Sequence, residues 1–351
     1  EPKFSHNVLI KSIFYFRFFI LYFGLKFLIK KNIINFKYLF YVYSLCALFV
    51  CVDLIFQYKF GVDFFGYEGN SRRLSGPFGD ELIAGSYVQR FFIFSLFSII
   101  LFANFKNKLS NSLLILLILI LSSVAILISG NRMPFLLFIL MLFLTFFYSK
   151  KIRIILIMLT VLITIFFSYL VKFDQKFYYH YSGFEEKSLQ IIIYLKDKVS
   201  GNPITTTNSY IKELELGLLT WKINKYFGGG IKSFYWNCTS MDAQGFGGSN
   251  KANCNSHPHN YYLQILAELG IVGLFLTILL FLSIIFKSIK KIHFGENIQN
   301  ERNIIVPFFI IFLVEIFPLK TTGSFFTSIN ASFLFIIIAF IAGLSEYKKT
   351  K

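Results

Sequence analysis

Long apolar runs recur along most of the chain and restrict it to folds that place helices in a lipid bilayer. A helix needs about 20 apolar residues to cross roughly 30 Å of hydrocarbon, and hydrophobic residues make up 56% of this sequence. Backbone polar groups in lipid must be satisfied within the segment, so these runs are expected to be helices. The sequence predicts nine spans, at about 8–29, 38–57, 82–103, 112–128, 134–149, 154–171, 260–286, 304–318 and 325–345.

We therefore predict an all-α polytopic membrane protein with one large external loop domain. Residues 1–171 are expected to hold N-terminal transmembrane helices, 172–259 the loop domain, and 260–351 the C-terminal transmembrane helices and a cytoplasmic tail. Apolar residues at helical spacing predict an amphipathic helix over about 209–226 within the loop domain. The chain starts at Glu1 without an initiator methionine, and we expect it to be a fragment that lacks one or more leading helices.

Basic residues give the chain a formal net charge of +17 and are concentrated in alternate loops. By the positive-inside rule these loops face the cytoplasm, so the segments 1–7, 58–81, 129–133, 172–259 and 319–324 are predicted to lie outside. The charge therefore sets orientation and contacts anionic headgroups, and no nucleic-acid partner is expected. The basic residues concerned are Lys30, Lys31, Lys37, Lys106, Lys108, Lys150, Lys151, Arg153, Lys287, Lys290, Lys291, Arg302, Lys348, Lys349 and Lys351.

The four cysteines fall into two pairs with different expectations. Cys46 and Cys51 lie in the second predicted span, where they are expected to be buried apolar side chains. Cys238 and Cys254 lie in the external loop and suit a disulfide in an oxidising compartment. Sequence spacing does not supply the geometry of a disulfide, so this pairing stays open.

Arginines gather on the predicted external side, where positive charge opposes the topology rule. Arg72 and Arg73 precede the third span, Arg90 lies about two turns inside it, and Arg132 lies in the turn Ser129–Pro134. An unpaired arginine in the bilayer costs at least about 2.5–3.5 kcal/mol, so Arg90 is expected to face a cavity, a carboxylate or a bound anion. Guanidinium groups bind phosphate oxygens bidentately, and this set therefore suits a diphosphate. A snorkelling interfacial side chain is the alternative for Arg132.

Other phosphate-binding patterns are missing or weak in the sequence. It contains no Asp-x-Asp pair and no Walker-type loop, which argues against soluble nucleotide-sugar or ATP chemistry. The run Gly228-Gly229-Gly230 predicts a flexible turn that lets backbone pass close to a neighbour, in preference to a phosphate loop.

The segment His257-Pro258-His259-Asn260 places two imidazoles directly before the seventh span. A free imidazole has a pKa near 6.5, so it can take a proton from a sugar hydroxyl near neutral pH. We favour His259 as this base and His257 as its support, while helix capping and interfacial polarity are the alternative for both. Nine residues at about 100° each put Glu268 roughly opposite His259, so Glu268 is expected to pair with another helix or a buried arginine. Few carboxylates accompany the histidines, so no metal site is expected.

Four motifs occur together, in a definite order and topology. They are Arg73-Leu74-Ser75-Gly76-Pro77-Phe78, Ser129-Gly130-Asn131-Arg132, Gly228-Gly229-Gly230-Ile231-Lys232-Ser233-Phe234, and His259-Asn260-Tyr261-Tyr262-Leu263 running on to Glu268-Leu269-Gly270-Ile271-Val272-Gly273. Together they resemble the bacterial O-antigen ligase and O-antigen polymerase superfamily, over roughly residues 70–290.

The resemblance implies a fold like that of GT-C-like membrane glycosyltransferases and a place in lipopolysaccharide and cell-envelope biosynthesis. The reaction would be a metal-independent, inverting glycosyl transfer without a cofactor, at the periplasmic face of the bacterial inner membrane. The donor would be a glycan on undecaprenyl diphosphate, and the acceptor lipid A-core or another lipid-linked repeat unit. His259 would be the base and Arg132 and Arg73 would hold the diphosphate. Arg72 and Arg90 are further candidates for binding the diphosphate. His257, Glu268, Asp80 and Lys320 are candidates for residues that support the site.

The chain departs from the family ligases at one point. Those ligases carry an arginine in the long external loop, whereas no arginine occurs here between Arg153 and Arg302. Lys212, Lys222 or Lys232 would supply only a point charge there, since lysine lacks the bidentate fork. Ligase and polymerase reactions therefore both stay open.

Two other functions are compatible with the same sequence. A polyprenyl-phosphate glycosyltransferase would use a loop carboxylate as its base, and Asp80-Glu81 suits that part. A transporter or flippase of lipid-linked glycans would use ionisable groups inside spans, such as Arg90, Asp53 and Glu315. The large external segment favours the enzyme, because a conduit has less need of it.

Overall fold

A computed structural model describes residues 2–70, 73–103, 108–148, 152–181, 184–200, 209–243, 254–294, 299–321 and 323–346. Their regular structure is helical, with a short 3₁₀ turn at Gly76–Phe78. The α-helices are α1 (Pro2–Tyr15), α2 (Arg17–Lys30), α3 (Phe36–Phe60), α4 (Ala84–Phe102), α5 (Lys108–Ile128), α6 (Arg132–Tyr148), α7 (Arg153–Phe173), α8 (Gln175–Tyr181), α9 (Phe184–Ser200), α10 (Ser209–Ile223), α11 (Phe234–Ala243), α12 (Tyr261–Phe294), α13 (Gln299–Glu315) and α14 (Ser328–Glu346).

Most of these helices belong to segments that are long and apolar enough to cross a bilayer. Two shorter apolar helices, Arg132–Phe147 and Asn303–Glu315, coincide with the predicted spans 134–149 and 304–318. The prediction of an all-α polytopic membrane protein is confirmed, as is the helix predicted near 209–226. Within the described part of the chain, seven helices are long and apolar enough to cross a bilayer: Val8–Lys30, Phe36–Phe60, Ala84–Phe102, Leu109–Ile128, Arg153–Phe173, Tyr261–His293 and Ser328–Glu346.

The chain divides into two compact units. Unit 1 comprises Glu1–Ile33, Glu186–Asn297 and Glu315–Lys351, and unit 2 comprises Ile34–Glu185 and Ile298–Val314. In unit 2, α3 packs against α4 and α5, and α5 packs against α7. The buried ring of Phe40 makes edge contacts with Phe94 and Phe308, with ring centroids 5.1 and 5.7 Å apart. Aromatic packing of this kind holds the core of unit 2 together.

Unit 1 is built on two helix pairs, α2 with α14 and α10 with α12. Gly343 allows the close approach of α14 to α2, because a Cβ there would lie 2.8 Å from the side chain of Ile29. Tyr15 of α1 adds edge contacts to Phe326 and Phe335, with ring centroids 5.4 and 6.0 Å apart. These contacts hold α1, α2 and α14 together within the unit that carries the histidine segment.

Helix α12 is broken at Gly270, which the apolar pattern of the seventh span does not reveal. Gly270 has φ 68° and ψ −171°, a conformation that is essentially restricted to glycine. The break leaves helical N–H and C=O groups without their usual partners, which costs several kcal/mol per group in an apolar setting. The loop after α10 supplies the missing partners.

Residues 225–230 and 268–272 together form what we call the loop–helix joint. Its three backbone hydrogen bonds run from Ile271 N–H to Lys225 O (2.9 Å), from Val272 N–H to Tyr226 O (3.1 Å) and from Gly230 N–H to Glu268 O (2.8 Å). Two glycines allow the backbones to touch, since a Cβ on Gly228 or Gly270 would lie 2.3 or 2.2 Å from a carbonyl oxygen of the opposite segment. The glycine run therefore serves close backbone packing.

Candidate functional site

His259 lies in the short segment between Cys254 and the start of α12. Its backbone has an unusual conformation. Its φ is +49°, a region that few residues other than glycine adopt, although histidine, asparagine and aspartate are enriched there. Its side chain is 37% exposed, and its ring centroid lies 4.3 Å from that of His257. The imidazole is therefore partly open to solvent just before the helix that follows.

Helix capping does not explain the histidines, because the neighbouring residue performs it. The side-chain oxygen of Asn260 accepts hydrogen bonds from the backbone N–H groups of Tyr262 and Leu263, at 3.0 and 3.1 Å. The amide nitrogen of Asn260 donates to the Pro318 carbonyl at 2.7 Å. Asn260 is therefore the N-cap of α12, and His259 does not perform that role.

Glu213 of α10 is the carboxylate that accompanies His259, and sequence reasoning missed it. One Glu213 oxygen lies 3.9 Å from the His259 Nε2 atom, which is longer than a hydrogen bond, so the two groups attract each other when the imidazole is protonated. The other oxygen accepts a 2.6 Å hydrogen bond from the Asn255 amide. The helical spacing of α10 locates this helix in the sequence, but nothing in its pattern indicates which distant residue lies beside Glu213.

A disulfide joins the histidine segment to α11. Cys238 and Cys254 are bonded, with their Cα atoms 5.9 Å apart. Cys238 is fully buried against Phe234 and Ala267, so the bond fastens Cys254 to the packed surface of α12. The segment that carries His259 is thereby constrained at Cys254 and at Asn260.

Glu268 stabilises the start of α11, and none of its hydrogen bonds to the described residues involves an arginine. Its buried carboxylate accepts hydrogen bonds from the Gln264 amide at 3.0 Å and from the Lys232 backbone N–H. A carboxylate is favourable at a helix N-terminus, where N–H groups point outward. Glu268 is expected from the sequence to pair with another helix or with a buried arginine, and the structure shows the first of these, at the start of α11.

Lys320 is also buried, and it forms an ion pair beside the start of α12. Its ammonium lies 2.6 Å from Glu315, and the Tyr261 hydroxyl donates to the same carboxylate oxygen at 3.0 Å. This pair fastens the segment after α13 to α12. Asp53, the other span carboxylate that suits a transport path, accepts from the Phe64 backbone N–H at 2.8 Å.

In unit 2, the structure brings two of the arginine motifs together. The Leu74 backbone N–H donates to the Ser129 carbonyl at 3.1 Å, so the segment that carries Arg73 lies against the turn that precedes Arg132. Gly85 of α4 lies against the same turn, because a Cβ there would lie 2.4 Å from the Ser129 hydroxyl. Arg132 is the first residue of α6 and is partly exposed, and Arg73 is exposed.

Tyr181 lies near Arg132 and is a second residue that the sequence did not indicate. Its hydroxyl donates a 3.1 Å hydrogen bond to the Leu127 carbonyl at the end of α5. Burial raises the pKa of Tyr181, and the positive charge of Arg132 opposes that rise. The phenol therefore stays neutral and acts as a hydrogen-bond donor beside the guanidinium.

The remaining predicted residues that the structure describes lie in α4 or in the segment before it. Arg90 lies partly exposed in α4, and Asp80 and Glu81 are exposed before that helix. Arg72 lies outside the described residues.

The helical fold, with its apolar spans and polar connecting segments, defines a multi-pass membrane protein. Residues 117–278 match the family model described as O-antigen ligase, so this part of the chain is similar to that family. The resemblance that the motifs predict is thus confirmed for this part of the chain. The match includes Arg132, Glu213 and His259, whereas Arg73, Arg90 and Lys320 lie outside it. A comparison with curated proteins found no match.

Proposed function

We propose that this chain is a glycosyltransferase that moves a glycan from undecaprenyl diphosphate to an acceptor hydroxyl at the periplasmic face of the inner membrane. The acceptor is lipid A-core in the ligase form of the reaction and another lipid-linked repeat unit in the polymerase form. The single observation that carries the proposal is the match to the O-antigen ligase model across residues 117–278, which contains a histidine and carboxylate pair, His259 and Glu213.

In this reaction His259 is the general base. The acceptor oxygen attacks the anomeric carbon, the bond from that carbon to the diphosphate oxygen breaks, and the hydroxyl proton moves to the imidazole. One direct displacement inverts the configuration at the anomeric carbon. Support for His259 comes from its access to solvent, its left-handed backbone and the carboxylate that lies 3.9 Å away. A nearby carboxylate stabilises the imidazolium that the proton transfer creates.

In the same proposal Arg132 and Arg73 hold the leaving diphosphate. Arg132 begins a 17-residue helix, where both its own charge and the exposed helical N–H groups favour an anion. The hydrogen bond between Leu74 and Ser129 keeps the Arg73 segment beside this helix start. Guanidinium groups stay charged and stabilise the developing negative charge without a metal ion.

The test of the function uses the purified full chain in detergent, with a lipid-linked oligosaccharide as donor. We expect product to form with a chelator present, because the proposed stabilisation needs no metal. Since detergent leaves no bilayer to cross, a transporter gives no product in this assay. Mass analysis of the product distinguishes attachment to lipid A-core from chain elongation. Unchanged donor with both acceptors present would contradict the proposal.

Replacing Glu213 with glutamine is expected to lower the transfer rate modestly. The carboxylate lies 3.9 Å from the His259 Nε2 atom, where it stabilises the imidazolium that forms as the acceptor proton is taken up. A partly exposed ion pair is worth about 0.2–1 kcal/mol, which corresponds to a loss of roughly 1.5–5-fold in rate. The measurement is the initial transfer rate at one fixed pH.

Glu215→Gln is the matched control for this loss. It removes the same charge from the same helix, but Glu215 accepts from the Tyr194 hydroxyl. Its transfer rate is expected to equal that of the unmodified protein. A Glu213→Gln rate equal to that of the control would show that Glu213 does not assist the transfer.

Replacing Arg132 with lysine is expected to lower the transfer rate by roughly 10–150-fold, the value of a charge-assisted hydrogen bond of about 1.5–3 kcal/mol. Lysine keeps the charge and loses the bidentate fork, so the loss isolates the geometry of diphosphate binding. Arg153→Lys is the control, because Arg153 also begins a helix but donates to the Phe146 carbonyl at 3.1 Å. If both lysine variants keep full activity, Arg132 does not hold the leaving group.

A further inference from the structure

A short turn after α10 exposes aromatic side chains between two lysines. We call residues 222–228 the aromatic turn; it contains Lys222, Ile223, Lys225, Tyr226 and Phe227. Phe227 is 77% exposed, the largest value among the large apolar side chains of the described residues, and Tyr226 is 69% exposed. The Trp221 indole donates to the Lys225 carbonyl at 2.9 Å and keeps the turn closed. Such exposure of rings to water is unfavourable, which indicates another neighbour.

The loop–helix joint fixes the level of this turn along α12. Residues 269–286 of that helix are uncharged, between Glu268 and Lys287. The 16 residues after the break at Gly270, 271–286, extend about 24 Å at 1.5 Å per residue, which is most of the thickness of the hydrocarbon layer. Gly270 therefore lies at one edge of the hydrocarbon and Lys287 at the other. Because Lys225 and Tyr226 accept hydrogen bonds from Ile271 and Val272, the aromatic turn lies at that edge too.

We propose that the aromatic turn inserts into the bilayer at the boundary between headgroups and acyl chains. Tyr226 and Phe227 bury their rings among the upper parts of the chains, where aromatic side chains are enriched. Lys222 and Lys225 lie among the lipid phosphates, because an anionic surface attracts their ammonium groups. The insertion holds the loop–helix joint at a constant depth, and it is independent of the proposed glycosyl transfer.

Depth-dependent fluorescence quenching tests this insertion in the full chain, reconstituted in lipid nanodiscs. Phe227→Trp is introduced into a Trp236→Phe parent, and the parent alone supplies the Trp221 background. Lipids brominated near the headgroup or near the end of the chain serve as quenchers in the membrane, and iodide serves in water. Leu279→Trp in the same parent is the deep reference, because Leu279 lies near the middle of the uncharged stretch and is 46% exposed.

The tryptophan at 227 is expected to lose more fluorescence to bromine near the headgroup than to bromine near the chain end, and the reference at 279 the reverse. Strong quenching by iodide with none by brominated lipid would overturn the proposal, as would a profile that equals the deep reference. Tyr226→Trp is a second probe with the same expected order, in case Phe227→Trp perturbs the turn. Replacing both lysines with glutamine is expected to weaken headgroup-level quenching in phosphatidylglycerol discs, and an unchanged profile would overturn the role of the lysines.

Discussion

Replacing His259 with asparagine is expected to lower the rate of glycan transfer by roughly 10²–10⁴-fold, the usual contribution of a general base. Asparagine tolerates the positive φ of this position, so the backbone of the segment is retained while the proton acceptor is lost. Alanine is a poorer choice, because it adds strain at that φ to the loss of the imidazole. The measurement is the initial rate with a lipid-linked donor at saturating acceptor.

Two control variants give this result its meaning. His257→Asn removes the adjacent imidazole, whose Nδ1 lies 2.9 Å from the Ser256 hydroxyl, and a loss much smaller than that of His259→Asn is expected. Asp80→Asn tests the alternative base and is expected to keep activity, since its carboxylate is exposed before α4. Full activity of His259→Asn together with an inactive Asp80→Asn would transfer the role of base to the carboxylate.

Local patterns in the sequence account well for the helices. Apolar runs predict the spans because each run alone satisfies the length and polarity that a bilayer demands, as at Phe36–Phe60 and Ser328–Glu346. The spacing of apolar residues predicts α10 for the same reason, since one face of one helix carries the signal. These properties belong to segments of about 20 residues and need no knowledge of distant contacts.

The site depends on contacts that no local pattern contains. Glu213 lies beside His259 only because α10 packs on α12, and the sequence assigns no partner to either residue. The break at Gly270 is invisible as well, because a glycine inside an apolar run is compatible with an unbroken membrane helix. His259 has a left-handed backbone just before the helix, so a count of 100° per residue does not fix the direction of its side chain relative to Glu268. Conformation at single residues therefore limits what helical periodicity predicts about a site.

Replacing Gly270 with alanine is expected to destabilise unit 1 strongly, because it violates two requirements at once. Its φ and ψ cost an L-residue roughly 1–3 kcal/mol. The added Cβ would also lie 2.2 Å from the Tyr226 carbonyl oxygen, which is backbone and has no rotamer to adopt. The midpoint of thermal unfolding in detergent is expected to fall, and transfer activity to fall with it, since the joint fixes Glu268 and the start of α11.

Gly24→Ala is the matched control, because nothing lies within 4 Å of the Cβ that it adds, and a helical alanine is expected to be neutral or slightly stabilising. Gly228→Ala attacks the joint from the other side, with a Cβ 2.3 Å from the Glu268 carbonyl oxygen. If the joint is one cooperative contact, the variant with both changes melts higher than the sum of the two separate losses predicts, because the contact is lost only once. Additive losses would mean that the two glycines act in separate places, and an unchanged midpoint for Gly270→Ala would mean that the break in α12 does not hold the loop.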